Sequence, residues 1–388
     1  MQQLRMYLYV TFFCWIILLA GCFSRKETPV TPSTTEQHSD KETPQMTSVV
    51  PASSSPISVY GVWHAGNDYC TWGTVRSAAE FDSKNHWLID RGDGSGMPSV
   101  NLVVLSFVNP LKLLNKTNDS QTLNGIPIGM TQDIVNYFKS KNIRVMLSVG
   151  GISYTNDWNT ALVTNPTNLG LNAAAVAQSL GVGIEIDYEE SSNPNLTALE
   201  AFISAYRSQL PYDTSGNNHA ARLTIDLAAG DRWLIGLCRK ATADWLNTTT
   251  GVLDYGNAMV PSKQPVGASS AQSNWQEHID GKPQYSPPIP SLAAAKFTAG
   301  LYLVTGTRPC PECTNFSSSL ENSTGTYVQT VATKAGTTNG LLGYMFWAAE
   351  CPSSRRTCTI PPNSCLNGVG IGASVYNIPT PMPALRQN

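Results

Sequence analysis

The chain has 388 residues, with 25 Lys and Arg against 27 Asp and Glu and a formal net charge of -2, so it lacks the basic footprint of a nucleic-acid-binding protein. Only 13% of its residues are charged, well below the roughly 25% of ordinary soluble domains. Asn, Ser and Thr are plentiful, a surface that suits neutral polar partners such as sugars.

The N-terminal stretch carries a lone Arg5, an apolar run from Tyr7 to Ala20, and small residues before Cys22. This pattern predicts an export signal over residues 1–21 rather than a structural element. Leu19-Ala20-Gly21-Cys22 resembles a bacterial lipobox, which makes Cys22 the expected lipidation site and mature N-terminus; ordinary signal cleavage is the alternative. Phe23 follows the cysteine in place of the Asp associated with inner-membrane retention, so the expected location is an envelope lipoprotein at the outer membrane or cell surface, or a secreted protein. Sequons at Asn115, Asn118, Asn195, Asn247, Asn315 and Asn322 keep a eukaryotic secreted origin open. Residues 22–56 are rich in Ser, Thr, Pro, Lys and Glu with few large apolar residues, a composition that cannot bury a core and reads as a flexible tether.

Residues 57–388 carry apolar, β-branched runs separated by helix-like segments. The runs are Ile57–Trp63, Val100–Val108, Ile143–Gly151, Val182–Glu189, Arg222–Ala229, Val252–Val260, Phe297–Val304 and Leu341–Ala348. Between them, MTQDIVNYFKSK and LTALEAFISAYRSQL have the spacing of amphipathic helices. Eight strand-helix units over this length predict an α/β fold of the (β/α)8 TIM-barrel type, with its site at the C-terminal ends of the strands. A doubly wound open sheet is the alternative, disfavoured because no Gly-rich phosphate loop follows any strand. Beyond Cys14 and Cys22 there are cysteines at 70, 238, 310, 313, 351, 358 and 365; their crowding near the C-terminus suggests disulfide-stapled loops, with a zinc site at Cys310 and Cys313 as the sharper alternative. The odd count leaves one thiol over, assigned to Cys238 in its helical segment.

The fourth run holds the chemistry. Side chains on a strand alternate between faces, so Glu185, Asp187 and Glu189 share one face while Ile184, Ile186 and Tyr188 share the other. Like charges crowded in a partly desolvated place raise one another's pKa, which suits an acid catalyst or a metal cage. The histidines at 38, 64, 86, 219 and 278 show no metal-ligand spacing, and oxygen cages use flexible loops rather than one strand, so neither metal nor cofactor is expected. Alternation also puts Asp226 with Thr224 on one face of the fifth run. Trp63, Trp72 and Trp87 lie in or near the segment after the first strand, either as sugar-stacking aromatics or as ordinary packing.

SVGG at Ser148–Gly151, followed one unit later by GIEIDYE at Gly183–Glu189, resembles the paired signature of family 18 glycoside hydrolases, the chitinase-like enzymes. YMFWA on the eighth run adds Trp347 where that family places the aromatic floor under the reacting sugar. The resemblance covers about Ile57 to Ala349. It implies Glu189 as general acid and Asp187 as the neighbour that orients the 2-acetamido group, with Glu185 deeper and biasing their coupling. It also implies substrate contacts at Trp347, Ser148, Gly150, Gly151, Tyr188, Phe107, Met259, Asp226 and Tyr302, the two glycines leaving room beside the carboxylates for a sugar. The implied reaction is substrate-assisted retaining hydrolysis of β-1,4 bonds at N-acetylglucosamine in chitin or a related glycan. A monomer is expected, touching membrane only through its lipid anchor.

The departures are specific. Val182 and Glu185 stand where the family usually has Asp, and Pro261 and Ser262 stand at a polar pair on the sixth strand whose tyrosine ordinarily contacts the acetamido group. Tyr302, Asp226 and Tyr255 are the candidate substitutes. Two other readings follow: a glycan-binding protein with little turnover, and an endo-β-N-acetylglucosaminidase acting on another glycan.

Overall fold

The computed structural model describes residues 56–64, 77–90, 94–230, 233–259, 267–302, 318–333, 340–347, 349, 378–383 and 385, the side chains at 84, 302 and 318–322 excepted. The expected export signal, tether and Cys22 lie outside the described residues, as do Trp72, Pro261, Ser262 and every cysteine of the expected disulfide or zinc loops. Cys238 is buried, its Sγ 3.9 Å from the Trp233 carbonyl oxygen.

Ten strands are described: β1 (Val59–His64), β2 (Leu102–Val108), β3 (Thr122–Leu123), β4 (Ile126–Pro127), β5 (Arg144–Gly150), β6 (Gly183–Asp187), β7 (Leu223–Leu227), β8 (Gly256–Ala258), β9 (Phe297–Tyr302) and β10 (Gly343–Trp347). Eight of them close into a barrel in the order β1-β10-β9-β8-β7-β6-β5-β2, every neighbouring pair parallel. All eight expected runs are barrel strands, so the TIM-barrel expectation holds. Only the two-residue strands β3 and β4, paired antiparallel in the β2 to β5 connection, were not anticipated. They are too short to carry a visible alternation.

The helices are α1 (Ala78–Asn85), α2 (Pro110–Asn115), α3 (Gln132–Lys139), α4 (Thr155–Thr164), α5 (Pro166–Leu180), α6 (Leu196–Gln209), α7 (Ile235–Lys240), α8 (Ala268–Asp280) and α9 (Ser318–Thr330). Local chemistry sets their ends. Thr131 accepts the Ile134 amide at the start of α3, and Asn195 accepts the Ala198 amide at the start of α6, each satisfying a donor that the first turn leaves orphaned. α5 begins with Pro166 and stops at Gly181, whose φ of 65° is left-handed, a conformation glycine adopts without Cβ strain. α6 buries Leu199, Phe202, Ile203 and Tyr206, the i, i+3, i+4, i+7 stripe of a helix lying on a sheet.

Alternation divides the core in two. Outward strand residues such as Ile184, Ile186, Leu223 and Ile225 pack with the helices, whereas Val59, Trp63, Leu102, Val104, Met146, Tyr255 and Met345 form a smaller cluster inside the barrel. At the N-terminal ends of the strands that inner cluster includes Met382 and Leu385 of the C-terminal tail. Asn101 ties this tail down, its Nδ2 donating to the Pro379 and Ser58 carbonyls at 3.0 and 2.9 Å.

The same end of the barrel holds buried charge. Asp254 faces Arg222 Nε at 3.6 Å and Arg207 Nη2 at 3.1 Å, and accepts the Leu223 amide at 2.8 Å. Removing one partner of a buried ion pair leaves the other uncompensated in low dielectric. Asp254→Ala is therefore expected to destabilise the fold by about 3–5 kcal/mol, read as a lower denaturant midpoint in urea unfolding. A loss under about 1 kcal/mol, the value of an exposed pair, would count against this anchoring role.

Candidate active site

Glu185 and Asp187 on β6 point into the barrel, and both are buried. Glu185 is gripped from two sides: Trp63 Nε1 on β1 donates to Oε1 at 2.8 Å, and Asn257 Nδ2 on β8 donates to Oε2 at 2.6 Å. Thr298 on β9 donates its hydroxyl to Asn257 Oδ1 at 2.7 Å, so that amide is oriented with its NH2 toward Glu185. Asp226 on β7, also buried, lies within electrostatic reach of Glu185. Burial dominates these donors and pushes the Glu185 carboxyl up to about 7.

Asp187 is held well above the ordinary carboxylate range by burial, then by the negative charges of Glu189 and Glu185. Asp226 is raised by burial and by the same carboxyls. Four acids thus cluster at the C-terminal half of the barrel. β6 ends at Asp187, so Glu189 sits just past the strand and is half-buried. The arrangement can hold protons at neutral pH and pass one at the mouth.

The glycines at the end of β5, Gly150 and the following Gly151, have a different purpose from the one expected. Gly150 has φ 125°, and an added Cβ would stand 1.8 Å from the Asp187 carbonyl oxygen and 2.4 Å from Trp158 Nε1. Trp158 Nε1 and the Gly151 amide both donate to that oxygen, at 3.1 and 3.0 Å. A Cβ on Gly151 would meet the Phe107 ring at 3.1 Å. The space the glycines leave is filled by the protein itself, and it fixes the backbone of Asp187 instead of admitting a ligand.

Phe107 and Trp347, both half-buried, lie with ring centroids 5.7 Å apart and planes 33° apart. Trp347 ends β10, so this aromatic surface stands at the same end of the barrel as the acids. Ser148 pairs in register with Glu185, and Met259 follows β8, half-buried. Tyr302 ends β9 in register with Trp347, but its side chain is outside the described set.

Tyr188 does not join this group. It packs outward on Trp158, centroids 5.6 Å apart, and its hydroxyl donates to Asn159 Oδ1 while accepting the Asn195 amide. As a substrate contact it is corrected: strand parity sends it to the helices. Tyr255 is likewise removed as a substitute for the sixth-strand tyrosine, because it is buried at the opposite end with Val59 and Leu102. Trp63 and Trp87 are buried as well, so neither is an exposed stacking platform.

Asn257, Thr298 and Trp158 were not singled out from sequence. The available signal for Asn257 was a lone amide at inward parity in an apolar strand, a polar group that burial obliges to find a partner. Among the described residues no group of three or more His, Cys, Asp or Glu side chains is arranged to hold a metal ion, and no described helix is long and apolar enough to cross a membrane.

No family model and no curated protein matches the chain. Solved structures do: the GH18 chitinase of Pseudoalteromonas aurantia is 14% identical over 74% of this chain and 93% of its own, with a TM-score of 0.44. The Class V chitinase of Nicotiana tobaccum is 14% identical over 74% and 93%, TM-score 0.41. The GH18 chitinase of Cycas revoluta in complex with (GlcNAc)3 is 14% identical over 74% and 94%, TM-score 0.42.

The raised Glu185 carboxyl links stability to pH. A carboxyl whose folded pKa exceeds its unfolded value binds its proton more tightly in the native state, so its contribution is complete below the unfolded value and is lost as pH rises toward the folded one. For Glu185 the window runs from 4.5 to about 7. Unfolding free energy is expected to fall across it, Glu185 accounting for about 3 kcal/mol at most. Glu185→Gln should flatten that decline in urea titrations at stepped pH; an unchanged slope would refute the linkage.

Proposed function

We propose that the chain is a glycosidase of the family 18 type, cleaving β-1,4 bonds beside N-acetylglucosamine in chitin or a related glycan. The observation that carries this reading is the crowding of the buried Asp187 carboxyl with Glu189, just past the strand, at the mouth of the barrel, at the same end as the Phe107–Trp347 aromatic surface. Two carboxyls sharing a proton provide an acid and a base in one place.

In the proposed reaction the sugar ring rests on Trp347 and Glu189 protonates the glycosidic oxygen. The substrate's own acetamido oxygen attacks the anomeric carbon as that bond breaks, and Asp187, whose shared proton has gone through Glu189 to the leaving oxygen, is left as the carboxylate that accepts the acetamido N–H and stabilises the cyclic cation. Water, deprotonated by Glu189, then opens the ring with retained configuration. Glu185 sets the charge that Asp187 feels from below.

Glu189→Gln keeps the size and polarity of the acid but has no carboxyl proton. It is expected to lower kcat on chitooligosaccharides by about 10²-fold or more with binding retained in calorimetry. Near-normal turnover in that variant would sink the assignment. The sixth-strand Pro261 supports a second reading, a glycan-binding protein with little turnover; persistent, unconsumed binding by the unaltered protein would favour it.

For location, we propose a lipid anchor at Cys22, supported by the Leu-Ala-Gly-Cys tetrad. Cys22→Ser should abolish lipid labelling of the mature protein; a mature protein that carries no lipid before mutation refutes the anchor.

A further inference from the structure

We propose that the floor of the barrel is an anion site, at which Arg144, Arg222 and Tyr255 close around one small anion of halide size. The site lies at the opposite end of the barrel from the acids, and the proposal does not depend on the glycosidase reading.

The three side chains enter the barrel from the lower ends of their strands. Arg144 opens β5 in the parity of Met146 and Ser148, Arg222 directly precedes β7 in the parity of Thr224, and Tyr255 directly precedes β8 and belongs to the inner cluster. Gly183 on β6 lets them approach. It has the inward parity of Glu185, and a Cβ there would stand 2.9 Å from Arg222 Cβ and 3.0 Å from Met146 Cγ, so the Arg222 stem meets β5 across β6. The Arg222 guanidinium carbon lies 5.8 Å from the centre of the Tyr255 ring.

Each of the three keeps a donor that the fold does not use. Arg144 Nη2 donates to the Gly216 carbonyl at 2.9 Å, and Arg222 Nε faces Asp254 Oδ1 at 3.6 Å. Arg144 Nη1, both Arg222 Nη atoms and the Tyr255 hydroxyl have no hydrogen-bond partner among the described residues. Arg144 is 5%, Arg222 1% and Tyr255 0% exposed, so bulk water does not satisfy them. Buried polar groups are normally paired, and each exception asks for a cause.

Charge points the same way. Arg144, Arg207 and Arg222 bring three positive charges to this end of the barrel against one buried carboxylate, Asp254, whose shorter contact is with Arg207 at 3.1 Å. Asp213, the other acid near Arg144, is half-buried and spends its oxygens on Ser215 and Asn218. Guanidinium N–H groups only donate and stay charged when buried. A buried water accepts about two hydrogens and brings two of its own, leaving the surplus charge unmatched. An anion accepts from every side and offsets that charge. Tyr255 packs with Val59, Leu102, Met146 and Met345, an apolar wall that offers nothing to the outer oxygens of a phosphate. That wall favours a monatomic ion.

Bromide is the probe, because it carries the charge of chloride and scatters anomalously. Crystals of the whole protein, refolded from urea with bromide as the only halide, should show an anomalous peak enclosed by Arg144 Nη1, the Arg222 Nη atoms and the Tyr255 hydroxyl. Bromide confined to the surface, with water or no density at the floor, overturns the proposal.

A solution measurement needs no crystal. Urea unfolding is followed at constant ionic strength while chloride replaces gluconate, an anion too large for the floor. A ligand bound only by the folded state shifts the equilibrium in proportion to its concentration once that exceeds Kd, so tenfold more chloride should raise the folding constant by up to about tenfold. Arg144→Gln keeps a donor for Gly216 but removes the charge, and should abolish the dependence. Tyr255→Phe keeps the ring and should weaken chloride binding by about tenfold; it decides the matter alone should Arg144→Gln fail to fold. Equal stability in chloride and gluconate, or a chloride dependence that survives unchanged in the folded variants, overturns the proposal.

Discussion

The centre of this barrel is organised by one buried carboxyl, Glu185, held by groups from two other strands. Trp63 reaches it from β1 and Asn257 from β8, with Thr298 of β9 bracing the amide. A buried acid is costly unless its lone pairs are satisfied, so each of these side chains is constrained to one orientation. The interior could not be filled with aliphatic groups at this level without losing the charge that sets the neighbouring acids apart.

From that layer the barrel differs in its two directions. Toward the N-terminal ends, Arg144 and Arg222 with Asp254 form a polar floor, and the C-terminal tail adds Met382 and Leu385 to the apolar cluster inside the barrel. Toward the C-terminal ends, the acids Asp187 and Glu189 rise past the strand beside the Phe107–Trp347 surface. The floor is built for permanence: its acid is shared by two guanidinium groups and a backbone amide. The mouth is built for exchange, because its carboxyls carry fewer charges than their number and the last of them lies beyond the strand, half exposed.

The backbone of Asp187 is fixed as firmly as its side chain is poised. Its carbonyl accepts from the Trp158 indole and the Gly151 amide, and Gly150 has no side chain because that approach leaves no room for one. Preorganisation of this kind places an acid without requiring reorganisation during a reaction. The constraint on these small residues is therefore backbone contact, not ligand shape.

Much of this was legible in the sequence because it is local. Period-two alternation put Glu185, Asp187 and Glu189 on one face and Ile184, Ile186 and Tyr188 on the other, and repeated apolar runs separated by helical stripes specified eight strand-helix units. The misjudged residues are those whose meaning depends on contacts distant in the chain. Trp63 was weighed as a sugar platform, yet it donates to Glu185 across 122 positions; Asn257 meets the same carboxyl across 72. Tyr188 was set on the apolar face by alternation and still counted among substrate contacts, which the Asn159 and Asn195 bonds exclude. Strand parity is fixed by covalent geometry and can be read one residue at a time. Which donor satisfies a buried carboxyl is decided only when barrel closure brings four strands within hydrogen-bond reach.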